Sequence, residues 1–190
     1  SDWSSDVCSS DLAEITIKSY HPKKTREEIV LFSTTNLSEL SVEELLYSAT
    51  LEENSSNKLT ILNSVVSLHN DWRAYNNIAC IYLLEMDKEN AIDYLNQAIE
   101  NGGANDPDVL NNLGIVASWD GDLIKAEEFF NQENASNHNK AILSIRKGDY
   151  RSASRYYRGK NTYNATLVNI LNGNNNTTCS EKTAACYYLN

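Results

Sequence analysis

YNNIACIYLLEMDKENAIDYLNQAI, residues 75–99, and LNNLGIVASWDGDLIKAEEFFNQEN, residues 110–134, align at an offset of 35 residues with no internal gap. Ala79 falls on Gly114, Ala91 on Ala126, and Leu95 on Phe130. Within each copy the apolar positions recur at three and four, the spacing of one helical face. A short polar turn, Met86-Asp-Lys88 in the first copy and Asp120-Gly-Asp122 in the second, separates two such helices. Helices of about 12 residues joined by turns this short must run antiparallel. A third copy, AILSIRKGDYRSASRYY at 141–157, aligns with the second at an offset of 27, placing Gly148-Asp149 on Gly121-Asp122 and Ala153 on Ala126. Its shorter spacing implies a helix cut by about two turns. Small residues at Ala79, Gly114, Ala91 and Ala126 let facing helices approach, and Tyr75, Tyr82, Leu95 and Phe130 fill the space between hairpins. One such hairpin leaves an apolar face uncovered, so stability requires stacking.

Working outward, Ser41 and Glu44 form a capping-box pattern ahead of Val42, Leu45, Leu46 and Ala49. Asn54-Ser-Ser-Asn57 reads as a turn, and Leu59, Ile61, Leu62, Val65 and Val66 mark a second helix ending near His69-Asn70-Asp71. Tyr163–Leu171, with Gly173 in the turn position, is a cruder fourth unit, followed by a polar NNNTTCSEK run and a last apolar segment. Before Ser41 the reading changes. AEITIK (13–18) alternates as a strand does, and Ile29-Val-Leu-Phe32 is a second strand candidate. Residues 1–12 (SDWSSDVCSSDL) follow neither period and closely resemble a translated sequencing adapter, so they are expected to be a non-native tail.

The units are therefore expected at 1–12 (artefact tail), 13–40 (extended segment), 41–71 (degenerate hairpin), 72–106, 107–133 and 134–160 (repeats), and 161–190 (degenerate terminal unit). Tyr75, Ile78, Ala79, Tyr82, Ala91, Leu95 and Ala98 follow the residue pattern of the tetratricopeptide repeat family, which the chain resembles. Leu110, Leu113, Gly114, Ala117, Ala126 and Phe130 repeat the pattern, with Glu133 in place of the final alanine. The third unit keeps Ala141, Ala153 and Tyr157 but has Lys140 where a leucine is expected. The family's proline between repeats is replaced by Gly102-Gly103, and Pro107 stands at a first-turn position instead. The resemblance implies an all-α, right-handed array of antiparallel helix hairpins, here with a short extended N-terminal segment. The opening Trp72-Arg-Ala-Tyr-Asn-Asn77 and the turn Lys147–Tyr150 also resemble repeat regions of Bacteroidales envelope proteins. That likeness implies a periplasmic or outer-membrane-associated location, with the cytoplasm as the alternative.

Composition narrows the function. With 26 acidic and 16 basic residues the formal charge is -10, which argues against nonspecific nucleic-acid or anionic-membrane binding. No apolar run reaches the length of a transmembrane helix. His21, His69 and His138 stand apart and form no metal motif, Asp120-Gly-Asp122 lacks the rest of a calcium loop, and no nucleophile elbow or phosphate-binding loop occurs. Glu43-Glu44 and Glu127-Glu128 are adjacent pairs expected on solvent-facing helix sides. No cofactor, metal or catalytic residue is expected. Cys80 is expected to be a buried thiol, and Cys179 and Cys186 can pair only if the chain doubles back.

Asn76, Asn77, Asn111 and Asn112 remain as candidate site residues. In the resembled family the first helix of each hairpin lines a concave groove, and Asn112 matches an asparagine that holds peptide. The charged clamp for a carboxylate terminus does not carry over: Asn76, Cys80, Ala135 and Asn139 stand at its lysine, asparagine, lysine and arginine positions. Against this stands a bland reading in which the amides only cap and solvate helices. The stripe Arg151, Arg155 and Arg158, with Arg146, Lys147 and Lys160 nearby, reads as a solvated face or a meeting point for an acidic partner. The expectation is a non-catalytic scaffold that binds a protein or peptide, with a structural spacer in a larger envelope protein as the alternative.

Overall fold

The computed structural model describes residues 24–132, 135–174 and 177–180. Ten helices follow one another among these residues, with no strand: α1 (Arg26–Thr35), α2 (Val42–Leu51), α3 (Ser55–His69), α4 (Trp72–Leu84), α5 (Lys88–Ala98), α6 (Pro107–Trp119), α7 (Leu123–Phe130), α8 (Asn137–Arg146), α9 (Tyr150–Tyr156) and α10 (Tyr163–Leu171). The fold is an all-α helical repeat. Two compact units divide after Val116, inside α6.

One turn recurs between hairpin helices. Met86, Gly121 and Gly148 take positive φ of 60°, 80° and 76°, and the N–H of the following Asp reaches back to the helix it leaves. Asp87 donates to Tyr82 O at 2.9 Å, Asp122 to Ala117 O at 3.0 Å and Asp149 to Ser144 O at 2.8 Å. This closure satisfies a carbonyl orphaned at the helix end. The same Asp then caps the next helix, its carboxylate accepting from Asn90, Lys125 or Ser152 N–H at 3.0–3.2 Å. Gly173, at φ 85°, and Asn174, donating to Asn169 O at 2.8 Å, repeat the closure after α10. The turns thus follow the sequence alignment. The residues missing from the 27-residue spacing are drawn from both helices and the connection between them: α7 has 8 residues against 11 in α5, α8 has 10 against 13 in α4, and the link at 131–136 is shorter than that at 99–106.

In the first unit Ile29, Leu45, Leu46, Leu62, Val65 and Ile78 form a continuous buried cluster, while Ala79, Ala91 and Leu95 are fully buried in the α4–α5 hairpin. Gly114 is buried as well. The α5 end passes through a π-turn at Ile99–Gly103. A Cβ at Gly103 would lie 2.9 Å from Ala98 O, 3.0 Å from the Trp72 ring and 3.1 Å from Val109. Glycine stands there because the backbone passes too close to these groups for a side chain. In the second unit Ala141, Ala153, Tyr157, Ala165 and Val168 make the corresponding core.

Four readings need correction. Ile29-Val-Leu-Phe32 is not a strand but the middle of α1. Thr25 and Glu28 form a complete capping box, and Ile29 buries completely against the α2–α3 core. Helix capping and burial together override the β preference of Ile and Val. Nor is the chain extended through residues 24–40, where α1 leads into a 3₁₀ turn at Leu37–Glu39. The strand candidate at 13–18 and the tail at 1–12 lie outside the described residues. Asn54-Ser-Ser-Asn57 is not a free turn: Asn54 caps α3, accepting from Asn57 N–H at 3.1 Å, so the helix begins at Ser55.

The fourth correction is Glu44, which is 1% exposed and not solvent-facing. Its carboxylate accepts Ser41 N–H at 2.9 Å and Lys24 N–H and Nζ at 3.2 Å each. Burial by itself would raise its pKa, but the Ser41 and Lys24 contacts outweigh it and hold the carboxyl below its ordinary value of 4.5. A depressed folded-state pKa stabilises the fold above the unfolded value, and the gain is lost as pH falls through the folded one. Glu44→Gln keeps the shape and loses the charge. It is expected to cost about 1 kcal/mol near neutral pH, a difference that closes on acidification below about pH 4. Urea melts of both proteins from pH 7 to pH 3 check this, and a gap that stays constant over the range would refute it.

Candidate functional site

The four asparagines lie on the first helices of consecutive hairpins, Asn76 and Asn77 in α4, Asn111 and Asn112 in α6, all within the first unit. Asn76, Asn111 and Asn112 are 1%, 5% and 2% exposed, and Asn77 is half-buried. Asn112 bridges the two repeats. Its Nδ2 donates to Asn76 Oδ1 at 2.9 Å and lies 3.1 Å from Cys80 Sγ, one turn further along α4. The sequence places these groups together because Asn76 and Cys80 are four apart on one face, and stacking brings α6 alongside. A bridge of this kind sets the lateral register of α4 and α6, since a slip by one turn would leave a buried amide unpaired. The surface-solvating reading therefore fits Asn77 alone.

The rim of α4 is polar and well braced. Asp71 caps the helix and forms a bidentate contact with Arg73, at 2.8 Å to Nε and 2.7 Å to Nη2, while Arg73 also meets Glu43 at 3.4 Å. Burial would raise the Asp71 pKa, but the Arg73 contacts outweigh it and hold the carboxyl low. Tyr75 Oη donates to Asn70 Oδ1 at 2.6 Å, and Tyr82 stacks on Tyr94 with ring centres 5.5 Å apart. These aromatics pack the hairpin from the inside of the repeat.

Of the remaining candidates, Cys80 is a buried free thiol as expected. Cys179 is disulfide-bonded; Cys186 lies outside the described residues, as do His21 and Glu133. His69 is exposed in the last turn of α3. His138 Nδ1 is 2.9 Å from Tyr157 Oη. Among the described residues no group of three or more His, Cys, Asp or Glu could hold a metal ion, and no helix is long and apolar enough to cross a membrane. Sequence reading missed the Asn76–Cys80–Asn112 bridge. The matched asparagines pointed to it, but which helix faces which is decided only by stacking.

Comparison with known proteins agrees with this geometry. Residues 73–101, covering most of α4, α5 and the π-turn, match the family model for the tetratricopeptide repeat. The structure is similar to the crystal structure of a tetratricopeptide repeat protein from Parabacteroides merdae, with a TM-score of 0.53 and 19% identity, over 86% of this chain and 83% of that one. No curated protein matches the sequence. The α4–α5 hairpin thus matches a tetratricopeptide repeat, and the fold of the chain is similar to that of a tetratricopeptide repeat protein.

Proposed function

We propose that the chain is a non-catalytic scaffold that binds a protein or peptide through the face formed by the first helices of its hairpins. Repeats of this family bind proteins or peptides in general. The observation that carries the reading here is the buried Asn76–Asn112 bridge, which holds α4 and α6, the first helices of two consecutive hairpins, side by side. On this reading Asn76, Asn111 and Asn112 shape the candidate groove from beneath. Asn77, half-buried, is the amide able to offer hydrogen bonds to a ligand backbone.

The test is a pull-down with the full chain, followed by calorimetric titration of the captured protein against wild type and Asn77→Ala. An amide contact is worth about 0.5–1.5 kcal/mol net, so binding should weaken by about 2- to 13-fold with unchanged far-UV dichroism. Equal binding by the variant would remove Asn77 from the interface. The spacer reading draws on the same bridge, because three of the four amides are spent inside the fold. It gains if wild type captures nothing.

A further inference from the structure

Charge in this acidic chain is distributed unevenly. Between residues 135 and 174 there are seven Lys or Arg and one carboxylate, Asp149. That carboxylate caps α9 through Ser152, and its pKa is lowered first by that hydrogen bond, then by Arg155 and Lys147. It is engaged as a cap.

The cations at the end of α9 are not scattered. Arg155 and Arg158 stand on the closing turn of the helix, where Arg158 N–H donates to Arg155 O at 3.3 Å. Gly159, at φ 75°, reverses the chain, and Lys160 N–H closes the turn on Tyr157 O at 2.9 Å. The reversal sets Lys160 and Asn161 opposite the two arginines, while α10 supplies Asn169. A pocket of about 310 Å³ results, lined by Arg155, Arg158, Lys160, Asn161, Asn169 and Ser154. Asn169 Oδ1 accepts from Ser154 Oγ at 2.8 Å, so its remaining polar group is the NH₂ donor. All three cations are exposed, and none forms an ion pair among the described residues. Guanidinium, ammonium and amide donors thus converge on one hollow that no carboxylate among the described residues lines.

We propose that this pocket receives the carboxylate side chains of an acidic segment of a partner protein. The proposal rests on the scaffold reading but uses a surface apart from the asparagine face. A pocket of this volume suits one or two acidic side chains. A nucleic acid carries its charge continuously and needs a basic track along its backbone, which a chain of net charge -10 opposes, whereas the hollow itself gathers three cations, Arg155, Arg158 and Lys160.

The test uses the full chain and a fluorescein-labelled 12-residue peptide of alternating Glu and Asp, read by anisotropy at low and physiological salt. Two triple variants carry the same net charge: Arg155→Gln, Arg158→Gln, Lys160→Gln in the pocket, and Arg26→Gln, Lys88→Gln, Lys125→Gln at exposed sites elsewhere. Wild type should bind, more weakly as salt rises. The pocket triple should lose about tenfold or more and the distant triple less than about twofold. Circular dichroism checks that both fold. No binding by wild type, or equal losses in both triples, would overturn the proposal. Tighter binding of a 12-nucleotide single strand would overturn it in favour of nucleic acid. Salt-sensitive self-association abolished by the pocket triple would overturn it in favour of a second copy of this chain. A pull-down partner that the pocket triple still captures with wild-type affinity would remove this site and leave the scaffold reading standing.

Discussion

Leu95→Ala should destabilise the first unit by about 2–5 kcal/mol, the range for truncating a fully buried leucine. Leu95 is completely buried on α5, which packs extensively against α4. The loss combines transfer of the removed methyl groups with the cavity left behind. Because each hairpin of such an array leans on its neighbours, the effect should spread as lowered cooperativity beyond α4 and α5. Ile124→Ala is the control: Ile124 is 75% exposed, and its truncation should change stability by less than about 0.5 kcal/mol. Urea denaturation followed at 222 nm measures both, and a cost below 1 kcal/mol for Leu95→Ala would contradict the packing described here.

Asn112→Leu is the second large effect expected, about 1–3 kcal/mol at nearly constant volume. It removes the donor to Asn76 Oδ1 and leaves that oxygen buried without its partner. Asn76→Leu should cost a similar amount from the other side. The double variant should cost less than the two singles together, since removing both partners removes the unpaired group as well. A coupling of at least about 0.5 kcal/mol is expected from a double-mutant cycle. Strict additivity would show that the bridge does not couple α4 to α6. The same result bears on function: a binding defect in an Asn112 variant reports lost alignment as readily as lost contact, which makes Asn77 the cleaner probe of the proposed surface.

What the sequence determined by itself is the repeat. The polar turn before Asp87, Asp122 and Asp149 needs only local chemistry, a residue tolerant of positive φ followed by a carboxylate able to cap, and it is legible wherever it recurs. The buried alanines and Leu95 follow from helical period, and the Ser41–Glu44 box from spacing alone. The equivalent Thr25–Glu28 box was equally local, but the β-branched pair Ile29-Val30 pointed the other way, and only burial of Ile29 against α2 and α3 decides for helix. Tertiary structure also decided what no single helix contains. Glu44 looks solvent-facing beside Glu43, yet Lys24, 20 residues earlier, closes over it. Asn112 looks like a groove residue until α4 presents Asn76 and Cys80 to it. Arg151, Arg155 and Arg158 read as a solvated stripe and are exposed, but that Lys160 and α10 share a hollow with Arg155 and Arg158 is decided by the fold-back at Gly159. Periodicity and capping act within about four residues and are written in the local sequence. Pairing of polar and charged groups depends on which helix faces are stacked, and that is settled only when the apolar faces are buried together.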